Sequence, residues 1–287
     1  MSSFKLIALD IGGTLLSDDN TVSIENVKSL KLAKEKSIKI SLMTAREYSS
    51  TKYISNLIDC DYGVFSNGNH VFDLKNMKSL KLTYIANDAV REIYEFCKQK
   101  NLYFHINLEY EEISDELDYF CLKHILLNKN YPEHLKSNCH VVKELVDYIK
   151  NRNVAKIVIV SEENMNGCLK EIAPILKKYN LFITENNSNL YESILDKTIN
   201  YIEIGACNDN KSTGLRYLMN ELEIDENNVY VFGDGVNDYE VLSDFPNSIC
   251  MCNGDDSVKN IARYVTTRDN NNSGVAEMVK KIVRGDI

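Results

Sequence analysis

Three carboxylates and a lysine carry the candidate chemistry of this chain. The apolar run 4–9 ends in Asp10-Ile11-Gly12-Gly13-Thr14, and the run 229–232 ends in Gly233-Asp234-Gly235-Val236-Asn237-Asp238. Asp10, Asp234 and Asp238 on neighbouring loops would repel one another unless a hard cation stood between them, and ligation by oxygen alone suits Mg²⁺. A metal-bound carboxylate facing a phosphate is a candidate nucleophile, because the cation offsets the repulsion between two anions. Thr44 follows another short apolar run and can offer its hydroxyl to a phosphoryl oxygen, while Lys211 can neutralise charge that develops in transfer. Taken singly, Thr44 suits a strand-end hydroxyl that caps its own loop, and Lys211 suits a solvated lysine. The two spaced acidic turns select the catalytic reading.

Such residues need a scaffold that brings distant turns together. Short Val/Ile/Leu-rich segments alternate with amphipathic ones, the pattern of a parallel sheet covered by helices, in which ligands gather at the carboxyl ends of strands. Strands are expected over 4–9, 38–43 and 62–65, with Ser23 as N-cap of an intervening helix that turns Ile24, Val27, Leu30 and Ala33 inward. Segments 70–74 and 80–85 read as a hairpin. From about residue 87 the order changes to a helix with Ala89, Ile93 and Phe96, a strand at 102–106, an irregular acidic stretch, a strand at 154–160, a helix at 165–179 and a strand at 181–184. That is an inserted α+β unit. The core alternation is expected to resume at 201–204, then 229–232 and 248–252, closing with a helix at 275–283. The acidic stretch 109–119, with Glu111, Glu112 and Glu116 beside Tyr110, has no periodicity that assigns it to surface or site. The many asparagines read as compositional bias.

The chain has 287 residues, a net charge of -9 and a pI near 5.2. An acidic balance without a Lys/Arg cluster argues against a nucleic-acid partner. The apolar runs 4–9 and 154–160 are too short to span a bilayer and contain Lys5 and Lys156, so no membrane partner is expected. Nothing in the first residues reads as a signal peptide. Eight cysteines are scattered with no Cys-x-x-Cys pair and no His at a zinc-like offset, and the five histidines show no i, i+4 pair, so none is assigned to a metal. Reduced thiols in the cytoplasm are the expectation. Cys250 and Cys252 are expected on one face of a buried strand. Monomer and homodimer are both open.

Together these residues resemble the haloacid dehalogenase superfamily, in its Cof-type (type IIB) branch, along essentially the whole chain. The resemblance rests on the Asp10 turn, Met43-Thr44-Ala45-Arg46 in place of the family's Thr-Gly-Arg, Ser66-Asn67-Gly68 for its Asn-Gly signature, and Lys211. It extends to the 233–238 block, Cys252-Asn253-Gly254, and Ser273-Gly274-Val275-Ala276 before the last helix. It implies a Rossmann-like core over 1–83 and 197–287 and an α+β cap over 84–196 that selects substrate. It further implies a Mg²⁺-dependent phosphatase of small phosphorylated metabolites, in which Asp10 forms an aspartyl-phosphate. Mg²⁺ would be held by Asp10, the backbone carbonyl of Gly12, Asp234 and Asp238. Thr44, Ala45, Arg46, Asn67, Gly68, Lys211 and Asn237 would line the phosphate site, with Thr44 and Lys211 acting in catalysis and Asn237 orienting the metal shell.

One departure stands out. The family's second Asp, its general acid and base, falls on Gly12, and loss of such a group commonly costs about 10² to 10⁴ in rate. Three readings follow from it: a weak phosphatase, a catalytically impaired binding or regulatory protein on the same fold, and a chemistry in which the leaving group needs no proton. The five residues 10–14 also resemble the phosphate-binding opening of the actin-like sugar kinases. That family needs a second Gly-rich phosphate loop, which is not found among the 12 glycines, and it leaves Lys211 and the 233–238 block without a role.

Overall fold

The computed structural model describes residues 5–117, 119–192 and 195–287. Phe4, read as the start of the first strand, and Asp118 of the acidic stretch lie outside them. In chain order the elements are β1 (Leu6–Leu9), α1 (Ile24–Glu35), β2 (Lys39–Met43), α2 (Tyr48–Leu57), β3 (Tyr62–Phe65), β4 (His70–Asp73), β5 (Lys78–Leu82), α3 (Asn87–Gln99), β6 (Tyr103–Asn107) and β7 (Glu112–Ser114). There follow α4 (Tyr119–Asn128), β8 (Cys139–Val141), α5 (Leu145–Tyr148), β9 (Lys156–Ser161), α6 (Asn166–Tyr179), β10 (Phe182–Glu192) and β11 (Lys197–Gly205). The chain closes with α7 (Lys211–Leu222), β12 (Val229–Gly233), α8 (Tyr239–Asp244), β13 (Asn247–Cys250), α9 (Asp256–Lys259), β14 (Tyr264–Val265) and α10 (Gly274–Arg284). Contacts divide them into two units: Met1–Arg46, Ile54–Lys81 and Asp209–Ile287, and Glu47–Tyr53 with Leu82–Asn208.

The first unit is built on a sheet ordered β14-β13-β12-β1-β2-β3-β4-β5. Strands β14 through β3 pair in parallel, and β4 runs antiparallel to β3. Every residue of β1 and β12 is buried, as continuous apolar runs in a sheet covered on both faces require. The chain leaves β1 toward β2 and β3 on one side and returns at β12 on the other. The carboxyl ends of β1 and β12 therefore flank a topological switch point, the place where α/β sheets bind ligands. Ser23 caps α1 as expected, its hydroxyl accepting the Asn26 N–H at 3.1 Å, and Leu30 and Ala33 turn inward, but Ile24 in the first turn is exposed and Asn26 and Ser29 are buried in its place. Helix α10 buries Val275, Met278, Val279 and Ile282, one stripe at helical spacing.

The second unit has its own sheet, β10-β11-β9-β6-β7-β8. Its core joins Ile93 and Cys97 of α3, Phe104 and Ile106 of β6, Ile157 and Ile159 of β9, and Ile172 of α6. Several expectations are corrected here. Residues 201–204 do not resume the core alternation; they belong to β11, which pairs antiparallel with β9 and β10. On α3 Cys97 joins Ala89 and Ile93 in full burial, and Phe96 packs half-buried against the same core. The acidic stretch is not irregular throughout, because β7 lies within it and its Glu112 is buried. In the first unit β13 ends at Cys250, so Cys252 falls beyond the strand and is half-buried. Helix α2 had no sequence expectation.

Candidate active site

Asp10 is the first residue past β1, and its amide still donates to the Phe232 carbonyl of β12 at 3.0 Å. That bond holds the two acidic turns side by side. Lys211 is the first residue of α7. The helix start is fixed by a capping box: the Asn210 side chain accepts the Thr213 N–H at 2.8 Å, and the Thr213 hydroxyl accepts the Asn210 N–H at 3.0 Å. The sheet can draw this helix end close because Gly68, at φ +92°, would drive a side chain into the Asn210 carbonyl.

The Lys211 ammonium is 2 % exposed and donates to Asp10 Oδ1 at 2.7 Å and Asp238 Oδ1 at 2.6 Å. Asp238 Oδ2 in turn accepts the backbone N–H groups of Asp234 and Gly235 at 3.0 and 3.1 Å. Thr14 donates its hydroxyl to Asp234 Oδ1 at 2.7 Å. Asp10, Asp234 and Asp238 each present an oxygen within 4.8 Å of the others. Between Thr14 and Asp10 the backbone must turn sharply: Gly13 sits at φ +70°, where a Cβ would collide with the Asp234 carboxylate.

Charge in this cluster is unbalanced. Burial pushes the Asp10 carboxyl up to about 7 against the pull of Lys211, and Asp238 and Asp234 add to the rise. Burial likewise raises Asp234 to about 6, opposed by the Thr14 hydrogen bond. Burial works against the Lys211 charge, but Asp10 and Asp238 outweigh it and hold the ammonium well above the ordinary lysine range. Three ionised carboxylates and one ammonium sum to -2. A divalent cation with oxygen ligands would cancel that charge, so the donor set fits Mg²⁺.

Thr44 is the first residue past β2 and is buried; its hydroxyl oxygen accepts the Arg46 N–H at 3.2 Å, and its carbonyl accepts the Asn67 N–H at 3.1 Å. The Arg46 carbonyl accepts the Ser66 N–H at 3.0 Å, so the segments containing Thr44, Ala45 and Arg46 and Asn67 and Gly68 are joined. Asn237 is exposed, with its Oδ1 lying over Gly235, whereas Asp238 beside it is buried. Gly12 adopts φ -77°, ψ 130°, and a Cβ placed on it would meet nothing within 4 Å.

Sequence reasoning gave no role to several residues that build this site. Thr14 stood in the quoted motif, and the buried end of a strand turn was the available signal. The Asn253 side-chain amide donates to the Gly13 carbonyl at 2.8 Å, and its Oδ1 accepts the Asn270 backbone N–H at 3.1 Å. Asn270 also donates to the Leu16 carbonyl at 3.0 Å. At these positions the asparagines are structural ties on the Asp10 turn, not mere compositional bias.

A family model described as haloacid dehalogenase-like hydrolase matches residues 7–279. The Bacillus subtilis 5-amino-6-(5-phospho-D-ribitylamino)uracil phosphatase YitU is 26% identical over 283 residues, spanning 96% of this chain and 96% of its own. A crystal structure of a haloacid dehalogenase-like hydrolase from Bacteroides thetaiotaomicron superposes with TM-score 0.82 at 22% identity, over 98% of this chain and 100% of that one. The subclass IIB sugar phosphatase BT4131 superposes with TM-score 0.70 at 20% identity, over 99% and 100% of the two chains. These two structures share the fold. The sugar-kinase reading of residues 10–14 is set aside by the family match, which runs through both acidic turns.

Proposed function

Because the chain belongs to the haloacid dehalogenase-like hydrolase family, we propose that it is a Mg²⁺-dependent phosphatase of small phosphomonoesters that works through an aspartyl-phosphate on Asp10. The observation that carries this reading is the buried Asp10–Lys211–Asp238 cluster beside Asp234, at the switch point of a parallel sheet. Mg²⁺, held by Asp10, the Gly12 carbonyl, Asp234 and Asp238, would supply the positive charge that lets a phosphate approach a carboxylate. A carboxylate oxygen of Asp10 forms the new bond to phosphorus as the bond to the leaving oxygen breaks. Water then attacks the same phosphorus, releasing inorganic phosphate and restoring Asp10. Lys211 keeps the Asp10 carboxylate in place and offsets charge on the transferring group. Thr44 accepts from a backbone N–H, which leaves its own proton for a phosphoryl oxygen. Ala45, Arg46, Asn67 and Gly68 complete the phosphate pocket, and Asn237, being exposed, is free to face substrate rather than metal.

Gly12 offers no proton to the leaving group. Turnover is therefore slow for alkyl phosphates and faster for esters whose leaving group departs as a stable anion. The second unit carries substrate choice, and the activity named for YitU, on a phosphorylated ribityl chain, is the reason to test phosphorylated polyols first.

Phosphate release with Mg²⁺ from a panel of sugar, polyol, nucleotide and cofactor phosphomonoesters tests this reading. Native turnover that is abolished by chelation and by Asp10→Asn is the expected result. Turnover that survives Asp10→Asn would overturn the covalent route, and silence of the native chain on every ester, aryl phosphates included, would overturn the phosphatase.

A further inference from the structure

A second cluster of metal-ligating side chains lies in the second unit, and the phosphatase chemistry does not use it. Glu112 on β7 and Cys139 on β8 are direct partners in the parallel ladder, so their side chains leave the same face of the sheet. Cys121 and His124, three residues apart on α4, share one face of that helix. Cys121 Sγ lies 3.3 Å and Cys139 Sγ 3.8 Å from Glu112 Oε1. His124 Nδ1 stands 3.1 Å from Glu112 Oε2, off the line of a good hydrogen bond. Glu112 and Cys121 are buried, and the ligand atoms of Glu112, Cys121 and Cys139 all lie within 4.8 Å of one another.

An ion pair with His124 accounts for one oxygen of Glu112. It does not account for two thiols converging on the other, since a thiol is a weak donor and a buried cysteine more commonly packs against apolar groups. Two sulfurs, an imidazole and a carboxylate form a donor set that selects Zn²⁺ over Mg²⁺. Bonds of about 2.0–2.3 Å to a tetrahedral centre put ligand atoms roughly 3.3–3.8 Å apart. The spacings of 3.3 and 3.8 Å from Glu112 Oε1 to the two sulfurs fall on that edge length, while His124, 3.1 Å from the other oxygen of Glu112, stands just outside the group of three and would turn toward the ion as fourth ligand. The segment also needs a tie: among the ten residues of α4 the fully packed side chains include only Tyr119 and Cys121, while Leu122 and Ile125 are exposed.

We propose that Glu112, Cys121, Cys139 and His124 form a structural site for a thiophilic divalent cation of the zinc class, which fastens α4 to β7 and β8. Binding displaces the two thiol protons, so the ion is taken up with proton release. The expectation from sequence that no His or Cys serves a metal is revised accordingly: His124 lies three residues after Cys121, and the other two donors come from strands.

The test is a Co²⁺ titration of the full-length, untagged chain, stripped of metal, kept reduced and held in saturating Mg²⁺. One equivalent should give thiolate-to-cobalt charge transfer and tetrahedral visible bands, both displaced by Zn²⁺. Asp10→Asn should leave the bands unchanged, because its site has only oxygen donors. Cys139→Ser, at a half-buried position, should weaken Co²⁺ binding by at least about ten-fold and abolish the rise in Tm that Zn²⁺ gives the native chain. Absence of charge transfer in the native chain would overturn the site. So would bands that persist in a Cys121→Ser/Cys139→Ser double variant, or a Cys121–Cys139 disulfide in protein isolated with its thiols blocked.

Discussion

Gly12→Asp is the most informative single substitution in this chain. Position 12 lies in extended backbone at φ -77°, ψ 130°, which any residue adopts, and an added Cβ meets nothing within 4 Å. No strain and no overpacking term applies, so stability should move by less than about 0.5 kcal/mol, or rise by up to about 1 kcal/mol as the unfolded chain loses glycine's freedom. The catalytic effect should be far larger. A carboxyl able to protonate the leaving oxygen contributes about 10²- to 10⁴-fold, equivalent to about 3–5 kcal/mol of barrier. The assay is kcat/KM for phosphate release with Mg²⁺, which reports phosphoryl transfer to Asp10, measured on an alkyl phosphate and an aryl phosphate in parallel, with Tm recorded for both proteins. The alkyl ester should gain by that factor and the aryl ester, whose leaving group departs without a proton, by much less. A variant with native Tm whose alkyl kcat/KM stays within about three-fold of the native value would refute the reasoning, because a carboxyl at position 12 would then not reach the leaving group.

Replacing Lys211 by Met leaves Asp10 and Asp238 buried without their shared cation, and should destabilise the apo chain by about 3–5 kcal/mol in urea unfolding, with Mg²⁺ restoring part of the loss. Asn253→Ala removes the tie to the Gly13 carbonyl and should cost about 1 kcal/mol in the same assay while lowering kcat more than it raises KM. Thr14→Val unties Asp234 and should raise the Mg²⁺ concentration needed for half-maximal turnover, without changing the Thr44-dependent phosphate contacts. In the second unit burial pushes the Glu203 carboxyl up to about 8 against the pull of Lys156, so between the ordinary carboxylate range and pH 8 the folded state holds a proton that the unfolded state has lost. Stability from this group therefore falls as pH rises across that window, and Glu203→Gln should flatten the fall; parallel Tm-against-pH curves for the two proteins would contradict the assignment.

Much of the core was legible because burial on both faces of a parallel sheet forces continuous apolar runs. β1, β2, β3 and β12 each announce themselves that way, and α10 shows its stripe at Val275, Met278, Val279 and Ile282. Where pairing rather than pattern decides, the sequence is silent. β11 carries Ile199, Tyr201, Ile202 and Ile204, enough to pass for a core strand, and only its antiparallel partners β9 and β10 assign it to the second sheet. Strand β7 is three residues long and carries a buried carboxylate, so hydropathy reads it as surface. Helix α2 has Ser, Thr and Asn along much of its length, with buried Ser49, Thr51 and Ser55 where an amphipathic pattern would show aliphatic residues.

The site divides along a similar line. Asp10 and Asp234 are visible because charge at the end of an apolar run needs a reason, Asp238 because it shares the turn of Asp234, and Lys211 only through its likeness to a family position, and one reason serves all four once they meet. Thr14, Asn253 and Asn270 act by hydrogen bonds to a carboxylate or a backbone carbonyl, and these partners are 220, 240 and 254 residues away. Such bonds impose no periodicity and no local composition, so any polar residue of the right reach would look the same in sequence. The Glu112 cluster is the extreme case: its four donors come from three elements, and only one pair, Cys121 and His124, shares a helix. A metal site of that kind is defined by strand register, here Glu112 opposite Cys139, and register is the property that a single sequence specifies least locally.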